Sequence, residues 1–80
     1  MKVYCKDGFN MSVIDQDEMP LAYCDEHSVE IGFPSEKEDL IMEYAEDRDR
    51  PTRTVYGYVP HEIIHKVLMK HGGSIDDLTL

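Results

Sequence analysis

The sequence predicts an α+β domain: a small antiparallel sheet of three or four strands that starts with a β-hairpin and is packed by two helices, in the order ββ(β)βαβα. Three observations lead there. Asp7-Gly8 separates two strand-like runs near the start of the chain. Residues 28–33 and 53–59 have the alternation or the β-branched and aromatic content of strands. Residues 35–46 and 61–71 repeat apolar residues at helical spacing.

Val3-Tyr4-Cys5-Lys6 and Phe9-Asn10-Met11-Ser12-Val13-Ile14 are the arms of the hairpin, with Asp7 and Gly8 as turn residues at positive φ. Asp15 to Pro20 reads as an acidic loop, and Leu21-Ala22-Tyr23-Cys24 as a short strand or an apolar anchor. Ser28 to Phe33 alternates as a half-buried strand does. Pro34-Ser35 then opens a helix, with Ser35 as N-cap and Glu38 completing a capping box. At 100° per residue, Leu40, Ile41, Tyr44 and Ala45 share one face of that helix, opposite Glu36, Asp39, Glu43 and Glu46. Arg53 to Val59 is the strongest strand, with Tyr56 and Tyr58 on one face and Gly57 marking a bulge or close packing. Pro60 fits the first helical position of a second helix, which Gly72-Gly73 ends.

Eighty residues allow one domain, assigned to 1–73, with 74–80 as a flexible or loosely docked tail. No apolar run approaches the roughly 20 residues of a membrane span, and residues 1–6 are too polar for a secretory leader. Cys5 and Cys24 read as free thiols of a reducing cytoplasm. The net charge of −9 is unevenly placed: residues 15–49 carry thirteen acids against Lys37 and Arg48, a local −11. Such a chain repels phosphates, so direct nucleic-acid binding is not expected, and a basic protein or complex is its electrostatic complement.

His61-Glu62-Ile63-Ile64-His65 is a literal HExxH string, in which a helix aims two histidines at one zinc and the glutamate serves as general base. His71 stands where the longer zincin pattern puts its third ligand, but Leu68 occupies the position of the glycine that turns the chain back to the metal. Ile63, Ile64, Val67 and Leu68 form a buried face with His61 and His65 at its edge, so the reading is an amphipathic helix with no cofactor. A small zinc hydrolase using His61, His65 and Glu62 is the alternative. The acidic loops 15–18 and 46–49 lack the spacing and central glycine of a calcium loop.

The acidic helix carries the functional content. Carboxylates at i, i+3 and i+4 lie roughly 5–6 Å apart, comparable with successive phosphates of a nucleic acid. Glu36, Asp39, Glu43 and Glu46, with Asp47 and Asp49, are the candidate partner-binding residues.

Val29-Glu30-Ile31-Gly32-Phe33-Pro34-Ser35, Tyr44-Ala45-Glu46-Asp47, Thr54-Val55-Tyr56-Gly57-Tyr58-Val59-Pro60 and His71-Gly72-Gly73 together resemble small phage and prophage proteins of uncharacterised function. The resemblance spans residues 1–73. It implies a mobile-element protein of the bacterial cytoplasm, a class whose acidic members include anti-CRISPR proteins and other nucleic-acid mimics. The partner it implies is a CRISPR effector or nuclease. The class has no shared motif, so no residue role is carried over. A phage structural or assembly protein, monomeric or dimeric through a tyrosine-bearing strand edge, is the other reading the resemblance leaves open.

Overall fold

A computed structural model of the chain describes residues 1–75. Four strands, β1 (Lys2–Tyr4), β2 (Asn10–Ile14), β3 (Ser28–Gly32) and β4 (Val55–Pro60), form one antiparallel sheet in the order β1-β2-β3-β4. A 3-10 helix (Asp39–Tyr44) and α1 (His61–Lys70) complete the elements. This is the α+β class the sequence predicts.

Alternation along the strands sends Val3, Met11, Val13, Val29, Ile31, Tyr56 and Val59 to one face, where all are buried. Ile41 of the 3-10 helix and Ile64, Val67 and Leu68 of α1 close over them. The result is a slab with extents of 30 × 29 × 18 Å, its helices on one side of the sheet.

Several local expectations need correction. In the hairpin only Gly8 has a positive φ, +98°. Cys5 accepts from the Gly8 N–H and donates to Phe9, a turn closed by a glycine bulge, while Asp7 Oδ1 accepts from the Phe9 N–H at 2.9 Å. Leu21–Cys24 forms no strand, and Leu21 is 98% exposed; the residue of this segment that meets the sheet is Tyr23, at Gly57 and Tyr58.

The first helix is the largest departure. It spans six residues of 3-10 geometry and its N-cap is Glu38, whose side chain accepts from the Leu40 N–H. Ser35 is unavailable as a cap because it is engaged with β2: its N–H donates to the Asn10 carbonyl and its Oγ accepts from the Asn10 N–H. Tyr56 and Tyr58 do not share a face. Val29 pairs with Val59 but Ile31 with Tyr56, so β4 carries one extra residue. Tyr58 takes φ +52° there and stands 54% exposed, whereas Tyr56 is buried.

α1 follows the prediction closely. It ends with His71, then Gly72 at φ +85°, the Gly73 N–H bonding Leu68 and the Gly72 N–H bonding Met69. Pro60 is its N-cap rather than its first helical residue. The assigned tail begins with ordered pairing: Ser74 bridges Cys5 and the Ile75 N–H donates to the Tyr4 carbonyl, covering the β1 edge. Residues 76–80 lie outside the described residues.

Candidate binding face

Glu36, Asp39, Glu43, Glu46, Asp47 and Asp49 are all exposed. Their arrangement differs from a helical stripe. Only Asp39 and Glu43 lie on the helix, and at three residues per turn they point about 120° apart. Glu36 precedes the helix. Glu46 and Asp47 lie on a strap that runs along the β4 edge, where Ala45 bridges Tyr56, the Glu46 N–H donates to Val55 and the Asp47 N–H to Thr54 Oγ1. Asp47 in turn accepts from the Asp49 N–H at 3.0 Å, fixing the next turn. The acids are therefore exposed along three consecutive segments, the approach to the 3-10 helix, the helix itself and the strap after it, in place of a single helical row. Its internal neutralisation is slight: Lys37 is 3.9 Å from Asp39 and Arg50 is 4.0 Å from Asp47, both largely exposed. Such pairs contribute little in water.

Glu38 behaves differently. It is 1% exposed and its carboxylate is surrounded by donors. Lys70 Nζ lies at 2.9 Å, the Leu40 N–H at 2.9 Å and His71 Nε2 at 2.6 Å. The other imidazole nitrogen, Nδ1, is 2.6 Å from Asp7 Oδ2, and the ring stacks on Phe9 with centroids 4.1 Å apart. An imidazole held between two carboxylates donates from both nitrogens, so it is the cation. Burial opposes that charge, but the bonds to Glu38 and Asp7 outweigh it and raise the His71 pKa. Burial likewise works against the Glu38 charge, and the Leu40 N–H, Lys70 and His71 overcome it, leaving its pKa lowered. The Phe9 N–H first, and then His71, lower that of Asp7. This cluster clamps the hairpin, the 3-10 helix and the end of α1 together.

Local sequence patterns do not contain this cluster: Glu38 stands in them as a capping partner, Asp7 as a turn former and His71 at the third-ligand position of the zincin string. His71 and Asp7 are 64 residues apart, a pairing no local pattern contains. The one available signal was a histidine beside the helix-ending Gly-Gly, with no exposed role assigned to it.

The HEIIH histidines are not brought to a common ligand set. His61 is half-buried at the start of α1, facing the acidic 15–26 loop, and His65 and Glu62 are exposed. Among the described residues no three His, Cys, Asp or Glu side chains are placed to hold a metal ion. His71 is committed to Glu38 and Asp7. Cys5 and Cys24 are both free, and burial followed by Asp7 pushes the Cys5 thiol up. No helix among the described residues is long and apolar enough to cross a membrane. Comparison with protein families, curated proteins and solved structures finds no match to this chain.

Proposed function

We propose that the protein is a binding module that sets its acidic face against a Lys/Arg-rich, nucleic-acid-binding surface of a bacterial protein complex in the cytoplasm, such as a defence nuclease or CRISPR effector. The observation that carries this reading is the contrast between two kinds of acid. The fold buries Glu38 and surrounds it with cations, whereas Glu36, Asp39, Glu43, Glu46, Asp47 and Asp49 are exposed, their ion pairs among the described residues being Lys37 with Asp39 and Arg50 with Asp47, with the charge of Lys70 also near Asp39 and Glu36.

A cluster of uncompensated carboxylates destabilises its own fold by self-repulsion. It also steers association with a basic surface and raises the on-rate. Because the acids spread over a strap and a short helix, recognition depends on the sign and density of charge, without a phosphate-like repeat. The test is a charge reversal of Glu36, Asp39 and Glu43 to Lys together. All three are exposed, so circular dichroism should stay unchanged while binding to the basic partner is lost. Unchanged affinity in that variant would contradict the proposal.

A further inference from the structure

At the β4 edge of the sheet, where the 3-10 helix runs into the strap, Tyr23, Tyr44 and Tyr58 line a shallow groove of about 290 Å³. Val55, Gly57 and Glu46 complete its lining. No cation is among the lining residues.

Each wall is positioned by a specific device. Tyr23 lies directly on Gly57: a Cβ there would come within 3.2 Å of the Tyr23 Cβ, so any larger residue would push Tyr23 outward by a few tenths of an ångström. The Tyr23 carbonyl accepts from the Tyr58 N–H at 2.9 Å, and its own N–H reaches Glu30. Tyr58 is turned outward by the β4 bulge at φ +52°, a left-handed conformation that a bulky residue adopts only at some energetic cost. Tyr23 and Tyr58 each remain 54% exposed. Burial, then Glu43 and Glu62, raise the Tyr44 hydroxyl pKa, so that phenol stays neutral.

Three electron-rich rings beside a carboxylate, with no cation of their own, complement a planar organic cation. The geometry points to this groove as the seat of one arginine side chain of the basic partner, its guanidinium stacked on the tyrosine rings and paired with Glu46. Arginine fits better than lysine because the guanidinium is planar, weakly hydrated and stacks on aromatic faces. The assignment rests on the acidic-face reading and names the anchor within it.

The test is an NMR titration of the isotope-labelled full chain with acetyl-Gly-Arg-Gly-amide, and with the same peptide carrying neutral citrulline. The arginine peptide should move the Glu46, Gly57 and Tyr58 amides in a saturable way, and the citrulline peptide should not. Tyr58→Leu and Tyr44→Leu should each weaken binding about two- to fivefold, whereas Tyr58→Phe, which keeps the ring, should retain it. An unchanged amide spectrum outside the groove establishes that each variant folds. Equal binding of the citrulline peptide, or Leu variants that bind as the parent does, would overturn the assignment. Failure here is separable from failure of the wider reading. If the groove takes no arginine while the Glu36/Asp39/Glu43 reversal abolishes partner binding, only the anchor is wrong. If the groove takes arginine while that reversal leaves partner binding intact, the anchor stands and the acidic face does not.

Discussion

Glu38 is sealed beneath Lys70 and His71, while Glu36, two positions earlier, is exposed. Removing one partner of a buried ion pair leaves a desolvated charge behind. Glu38→Gln preserves an acceptor for the Leu40 N–H but leaves His71 without its buried counter-ion, so it should destabilise the fold by about 3 kcal/mol. Urea unfolding measures that directly. The cluster also sets a pH profile. His71 has a raised pKa in the folded state, so its contribution is complete below roughly pH 6.5 and is lost as pH rises through the folded value. Glu38 and Asp7 have lowered values, so theirs is present above roughly pH 4.5 and lost as pH falls through those values. Thermal melts should therefore peak between those limits and fall on both sides. Asp7→Asn removes one of the two carboxylates facing His71 and should move the alkaline fall to lower pH. An alkaline limb unmoved by Asp7→Asn would mean that another group governs it.

At the scale of elements, features encoded within a few residues of one another were readable from the sequence. The hairpin glycine, the inward Val29 and Ile31 of β3 and the Gly72-Gly73 stop of α1 are all local, whereas the half-buried alternation expected over 28–33 is not found, since Ser28 and Gly32 are buried too and Phe33 is exposed. The 3-10 helix is not legible locally because its start depends on a distant strand: Asn10 engages Ser35 and leaves Glu38 as the cap. A six-residue segment is also too short for apolar spacing to separate three residues per turn from 3.6. The β4 bulge was half readable, since Gly57 marked it but the outward turn of Tyr58 did not follow from alternation. The acids are legible one by one in the sequence, and only the backbone shows that they leave the helix for the segments on either side of it. Gly72 offers a clean check on the α1 stop. At φ +85°, Gly72→Ala should cost about 1–2 kcal/mol, read as a lowered melting temperature. An unaltered melt would show that the stop does not depend on the left-handed conformation.

At the scale of the molecule, the sheet is covered by helices on one side only, and the acids gather on the strap and 3-10 helix at its β4 edge. The net charge of −9 is thus a directed surface property. Salt distinguishes a charge-driven interface from an apolar one, because the Debye length falls from about 10 Å at 0.1 M to about 3 Å at 1 M. The most direct measurement is retention of a bacterial partner on the immobilised full chain, read at those two salt concentrations and after addition of short duplex DNA. The account predicts a basic, nucleic-acid-binding protein that is held at low salt, released at high salt and displaced by the DNA. A partner whose retention is indifferent to both salt and DNA would contradict it.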